Sequence, residues 1–123
     1  DLTAMLDHRY MGIALTGLGR LEEAEFHLLA AIEIAKKHAT PQDVTGRKIE
    51  EIALSGTELS YWLLLTQANR TADADKLWQE FESRQSSGLA IEKWIAARTR
   101  AGDLQSPQIV QAKLLSRENK NST

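Results

Sequence analysis

Few residues in this sequence have the types and spacing that chemistry requires, and the best pair is Glu23 with His27. The two lie four residues apart, so a helix would place both on one face, as it does for a pair of metal ligands. His8 and His38 are isolated along the sequence, and there is no cysteine to complete a ligand set. The pattern favours solvated polar faces, so we predict no metal site and no cofactor.

Two other patterns that could support catalysis fail on geometry. The carboxylate pairs Glu22/Glu23 and Glu50/Glu51 are adjacent in sequence, and adjacent helical residues diverge around the helix axis instead of meeting at one substrate atom. The segment Gly17-Leu18-Gly19 lacks the further glycine and the preceding strand that a phosphate-binding loop needs. Because no nucleophile, base and metal converge, we expect no enzyme. A deep pocket holding an acid with a strongly shifted pKa would favour the alternative, a helical enzyme.

Length and charge narrow the class of protein further. The chain has 123 residues, 42% of them hydrophobic, which is enough for one compact domain. The net charge is −2 and the sequence has no basic block, so we expect no nucleic-acid partner. The longest strongly apolar run, 62–65, is too short to cross a bilayer, so we expect no membrane partner. Asp1 opens the chain without a signal peptide, and we expect a cytoplasmic fragment of a longer protein.

Apolar residues recur at intervals of three and four, which predicts helices. We predict about six, beginning near residues 2, 21, 41, 72, 89 and 106 of a single domain at 1–115, followed by a disordered polar tail at 116–123. Thr40, Pro41 and Asp43 resemble a helix start. Gly56 and Thr57 offer a break, yet helical spacing continues past them, so 41–69 is either one helix or two.

The chain contains an internal repeat. Residues 16–24, Thr-Gly-Leu-Gly-Arg-Leu-Glu-Glu-Ala, align with 66–74, Thr-Gln-Ala-Asn-Arg-Thr-Ala-Asp-Ala, and residues 101–104 echo the turn. Gly19 and Asn69 share the turn position because both tolerate the left-handed conformation that ends a helix. Trp62, Trp78 and Trp94 lie sixteen residues apart within apolar stripes, which favours packing in a shared core over an aromatic binding cage.

A family resemblance rests on residues 8–15, His-Arg-Tyr-Met-Gly-Ile-Ala-Leu, and on 18–24 with Leu28 and Ala31 after them. This segment resembles one complete tetratricopeptide-repeat (TPR) helix pair, in which Gly12 would admit the neighbouring helix. A second unit, 55–84, carries Trp62 in place of Gly12, and a third, 88–115, matches by its turn and helix lengths. The step from residue 16 to residue 66 exceeds the TPR period of about 34 residues.

The resemblance implies an all-α fold, a short right-handed solenoid of antiparallel helical hairpins whose first helices line a concave face. It implies an interaction module or scaffold that binds another polypeptide, such as a peptide or an amphipathic helix. By matching position, the residues that would face this groove are Leu6, Arg9, Ile13, Thr16, Leu59, Leu63, Gln67, Glu92 and Thr99. Only Arg9 fits the basic residues that hold a C-terminal carboxylate in some relatives, so that ligand is not expected.

Two alternatives remain open. The chain is also consistent with a regulatory or sensory helical-repeat segment of a larger, bacterial-type transcriptional or signalling regulator. A homodimer is the other possibility, because repeat arrays expose an apolar end unless a terminal helix covers it. Ile109, Val110, Leu114 and Leu115 can cover the C-terminal end, whereas no polar cap precedes Leu2, so the N-terminal end is the expected dimer face.

Overall fold

The computed structural model describes residues 2–38, 44–84 and 89–121. Six helices occupy these ranges: α1 (Leu2–Gly17), α2 (Leu21–His38), α3 (Val44–Gln67), α4 (Thr71–Arg84), α5 (Leu89–Arg100) and α6 (Gln105–Asn121). They pair as the hairpins α1–α2, α3–α4 and α5–α6, and α3 packs in addition against α2 and α5. The described ranges contain no strand, so the prediction of an all-helical chain with about six helices is confirmed.

The sequence allowed either one helix or two between residues 41 and 69, and the structure shows one long helix there, α3. Gly56 and Thr57 are buried inside it, and the Thr57 hydroxyl donates to the carbonyl of Ala53 at 2.8 Å instead of capping a new helix. Burial of this stretch against α1 and α5 therefore overrides the local break signal. The start signal predicted at residues 40–43 lies outside the described residues.

The three hairpin turns share one backbone pattern. In each, the amide after the turn donates at 2.9 Å to a carbonyl five residues earlier: Arg20 to Leu15, Arg70 to Leu65, and Asp103 to Arg98. The residue before that amide has a left-handed backbone conformation in every case, with φ of 79° at Gly19, 60° at Asn69 and 86° at Gly102. This geometry closes a helix by satisfying its last carbonyls. The repeat read from the turn residues is thus reproduced in the backbone.

Gly12 allows α1 to lie close against α2. A Cβ atom at Gly12 would be 2.5 Å from Cγ of Leu28 and 3.3 Å from the backbone oxygen of Ala24. In the second hairpin the equivalent contact is made by two indoles, since Trp62 and Trp78 have ring centroids 5.1 Å apart. The two helices of each hairpin therefore make contact at equivalent positions, although the side chains at these positions differ in volume.

The larger core cluster contains all three tryptophans together with Leu28, Leu59 and other buried apolar residues of all six helices. The prediction that the tryptophans pack in a shared core is confirmed. A smaller cluster joins α1, α2 and α3 through Met5, Ala31, Ile32, Ala35 and Leu54. Each large apolar side chain buried in this way stabilises the fold by about 1.5–3 kcal/mol.

The last helix supplies apolar residues to the C-terminal end of the array. Val110 is fully buried, and Ile109 and Leu114 pack against the same core, whereas Leu115 is exposed. The polar tail predicted to be disordered at 116–123 is helical as far as Asn121, because it continues α6. Within the described ranges, no helix combines the length and the apolar character needed to cross a membrane.

Candidate functional site

An open groove of about 610 Å³ lies between the first helices of the three hairpins. Residues of α1, α3 and α5 line it, together with the first turns of α6. The lining is mixed: Ile13, Leu63, Trp94 and Ile109 are apolar, while Thr16, Ser60, Thr66, Gln67, Arg98, Asp103, Gln105 and Ser106 are polar. Polar side chains therefore outnumber apolar ones in the lining.

Four residues that the sequence assigned to the groove line it, namely Ile13, Thr16, Leu63 and Gln67. They come from α1 and α3, and Ile13 and Thr16 correspond to Leu63 and Thr66 in the repeat. The side chain of Gln67 also donates to the backbone oxygen of Thr16 at 3.3 Å, which joins the two helices at the rim. In these two hairpins the repeat register predicts the groove face.

The other predicted residues lie elsewhere. Leu59 is 1% exposed in the core, so a partner cannot reach it in this conformation. Leu6 packs on the smaller core cluster. Glu92 and Thr99 are exposed on α5 but do not line the groove. Arg9 lies one helical turn before Ile13, beside Gly56 and Trp94, where its side chain is partly buried.

Sequence reasoning missed the face that the third hairpin presents. α5 contributes Trp94 and Arg98, and α6 contributes Gln105, Ser106 and Ile109. Matching the positions of α5 to those of α1 predicted Glu92 and Thr99 as groove residues, because it assumed that both helices turn the same face toward the groove. The four-residue spacing of Trp94 and Arg98, which places both on one helix face, was the available signal.

A charged pair lies in the lining of the groove. Nε of Arg98 donates to Asp103 at 3.2 Å, and the other carboxylate oxygen of Asp103 accepts the backbone N–H of Ser106 at 3.0 Å, which caps α6. Burial alone would raise the pKa of Asp103, but the hydrogen bonds from Ser106 and Arg98 outweigh it and hold the pKa below its usual value. Asp103 is therefore a carboxylate at neutral pH.

Outside the groove, one network joins the first two hairpins. The Tyr61 hydroxyl donates to Glu25 at 2.7 Å, and Arg70 pairs with the same carboxylate oxygen at 2.5 Å while it also contacts Asp73. Burial and the bond to the Glu25 carboxylate raise the pKa of Tyr61 far above its usual value, so the phenol stays protonated. This network holds α2 against α3 and the start of α4.

His8 and His27 form a second contact that the sequence did not reveal. Their Nδ1 atoms lie 3.0 Å apart, so one nitrogen carries a hydrogen and the other accepts it. Glu23, which the sequence paired with His27, instead binds Arg20 at 2.7 Å. Within the described ranges, no three His, Cys, Asp or Glu residues are grouped in a way that could hold a metal ion.

Comparison of the chain with family models, with curated proteins and with solved structures found no match. The groove must therefore be interpreted from its own residues.

Proposed function

We propose that this chain is a TPR-like array of helical hairpins that acts as an interaction module and binds a peptide or an amphipathic helix in the groove between α1, α3 and α5. The observation that carries the proposal is the lining itself. Ile13, Leu63 and Ile109 lie partly exposed around Trp94, while hydroxyl and amide groups surround them. An apolar stripe with polar edges is what one face of an amphipathic helix complements.

The repeated turns support the same proposal. The two helices of each hairpin are joined by the same hydrogen-bonded turn, and the first helices of the three hairpins lie side by side. Repeat arrays bind partners on such a surface. The function would be non-catalytic presentation of a preformed surface. The alternative is a regulatory segment of a larger protein, in which binding of the polypeptide would regulate that protein.

Selection from a displayed library of random 16-residue peptides tests the proposal. The bait would be the parent chain, with an Ile13→Glu, Leu63→Glu variant for comparison and Leu115→Glu as the matched control on an exposed leucine far along α6. We expect peptides that bind the parent and the control but lose at least tenfold in affinity for the groove variant, because two buried charges would replace the apolar floor.

Far-UV circular dichroism must show equal helicity for the three proteins. Peptides that bind the groove variant as tightly as the parent would show that the groove is not the binding surface. Failure to select any peptide from the library would likewise count against a peptide-binding module.

A second proposal concerns self-association through the N-terminal hairpin. Among the described residues, Tyr10, Met11, Phe26 and Leu29 are large apolar side chains on α1 and α2 that remain 42–66% exposed. Single exposed apolar residues are ordinary, but four on one hairpin provide the material for an interface. We propose that two copies of the chain can pair through this hairpin.

A further inference from the structure

The guanidinium of Arg9 has no anionic partner among the residues that the structure describes, and its Cζ atom lies 6.0 Å from the centroid of the Tyr10 ring. Its Nε atom is fully buried and has no hydrogen-bond partner. The side chain lies between helices, where a Cβ atom on Gly56 of α3 would be 3.5 Å from Nη1 of Arg9 and 3.7 Å from the indole of Trp94 on α5. Buried arginines normally have a carboxylate partner, because an unpaired buried charge is costly.

The charged surroundings of Arg9 make this cost larger. Burial lowers the pKa of Arg9, and repulsion from the nearby Arg98 lowers it further, while Tyr10 acts in the opposite direction. No carboxylate of the described residues forms an ion pair with Arg9. Asp103, the carboxylate in the groove lining, is already engaged by Arg98 and by the first turn of α6. Among the described residues, Arg9 thus lies near a second cation, Arg98, whose own carboxylate partner is Asp103.

We propose that a peptide in the groove extends past Ile13 to Arg9, which lies one helical turn outside the groove lining, and that Arg9 receives the side-chain carboxylate of a glutamate or aspartate of this peptide, with Arg98 as the second cation. The inference rests on the proposed function and specifies its ligand. Arg9 and Ile13 lie four residues apart on α1, which is about 6 Å along the helix axis. The matching peptide therefore carries its acidic residue about one helical turn from an apolar residue that packs against Ile13, Leu63 and Trp94.

Physical chemistry favours a carboxylate in this position. A planar guanidinium offers parallel N–H groups that fit the two oxygens of a carboxylate, and such charge-assisted bonds are about twice as strong as neutral ones. Burial of Nε means that Arg9 has already lost part of its hydration in the folded chain, so a ligand carboxylate need not remove that part. A neutral peptide that occupied the groove would leave the guanidinium unpaired.

The first test uses three displayed libraries that differ at one fixed central position, occupied by Glu, Gln or Lys, with random residues on both sides. Display through the peptide C-terminus ensures that no peptide offers a free terminal carboxylate. We expect the Glu library to yield the binders of the groove. The libraries with Gln or Lys at the fixed position should yield few or no peptides whose binding is lost on the Ile13→Glu, Leu63→Glu variant.

The second test measures the affinity of a selected peptide by isothermal titration calorimetry. Replacing its Glu by Gln should weaken binding to the parent at least tenfold and should weaken binding to an Arg9→Gln protein much less, because only Arg98 then remains to attract the Glu; this difference shows that Arg9 and the Glu act on each other. Asp103→Asn should change affinity in the opposite direction, several-fold tighter, because it releases Arg98 and removes a competing negative charge.

The outcomes separate the two proposals. Peptides that need Ile13 and Leu63 but bind equally well with Gln in place of Glu would overturn the anion site and leave the peptide-binding function standing. Peptides whose affinity depends on a free terminal carboxylate would overturn it as well. Binding that ignores the groove substitutions would overturn both proposals. The thermal midpoint of Arg9→Gln without peptide should equal or exceed that of the parent, so loss of binding cannot be explained by unfolding.

Discussion

At the scale of single residues, Gly12 has the clearest consequence. An added methyl group would meet Leu28 at 2.5 Å, and Leu28 is fully buried, so the leucine must leave its packing position. We expect Gly12→Ala to lower the free energy of unfolding by about 1–3 kcal/mol, even though alanine favours a helix more than glycine does. Urea denaturation followed by circular dichroism measures this change.

Gly17 provides the matched control on the same helix. No atom lies within 4 Å of a Cβ atom placed there, so Gly17→Ala should raise the free energy of unfolding by about 0.5–1 kcal/mol through helix propensity alone. If both alanines stabilised the chain, the tight contact between α1 and α2 would be disproved.

The sequence predicted some of these residue roles and missed others for definite reasons. The TPR resemblance located Gly12, whereas the three tryptophans lie in helical apolar patterns, and periodicity reveals the buried face of a helix. The contact of His8 with His27 and that of Tyr61 with Glu25 join different helices. Contacts of this kind depend on how helices are placed against one another, which spacing along one helix does not encode.

At the scale of the secondary-structure element, the cap of α6 determines a pH dependence. The pKa of Asp103 is lower in the folded chain than its ordinary value, so the folded chain binds that proton less tightly than the unfolded chain does. The carboxylate therefore adds stability above the ordinary aspartate pKa of about 4, and this contribution is lost as the pH falls through the lowered pKa.

Asp103→Asn isolates the charge, because asparagine can still accept the N–H of Ser106. At pH 7 we expect the variant to be less stable by about 0.5–1 kcal/mol, a small value because solvent screens a partly exposed pair. The difference should shrink as the pH falls below the ordinary aspartate pKa of about 4 and should disappear once the pH is below the lowered pKa of Asp103. Thermal unfolding of parent and variant across this range measures it, and a constant difference at every pH would show that the charge of Asp103 contributes nothing.

Helix boundaries show where local signals suffice. α5 begins and ends where the sequence placed it, since Gly102 closes it with a left-handed turn. α3 could not be assigned, because Gly56 and Thr57 carry the residue types of a break while their burial keeps the helix continuous. Burial depends on α1 and α5, which lie far away in sequence.

At the scale of the whole molecule, the exposed apolar residues of the first hairpin predict concentration-dependent association. We expect sedimentation velocity to show a rising share of dimer as the concentration increases from micromolar to millimolar. Phe26→Lys with Leu29→Glu should keep the chain monomeric, because both side chains are exposed and their replacement leaves the core intact. A monodisperse monomer of the parent at millimolar concentration would contradict this prediction.

The groove shows how far a repeat carries a prediction at this scale. Its α1 and α3 faces follow the offset between residues 16 and 66, so matching positions located Ile13, Thr16, Leu63 and Gln67. The α5 face does not follow the offset of the repeat, because the last hairpin presents Trp94, Arg98 and the first turns of α6 to the groove. The orientation of a terminal hairpin is set by tertiary packing.

The position of Trp94 also gives the molecule its own optical reporter. Trp62 and Trp78 pack against each other in the core with their ring planes tilted by 53°, whereas Trp94 lines the groove and its indole N–H donates to Ser60 at 3.2 Å. A Trp62→Phe, Trp78→Phe chain would therefore emit from the groove alone. Its emission maximum would then report occupancy of the groove, without any label attached to either partner.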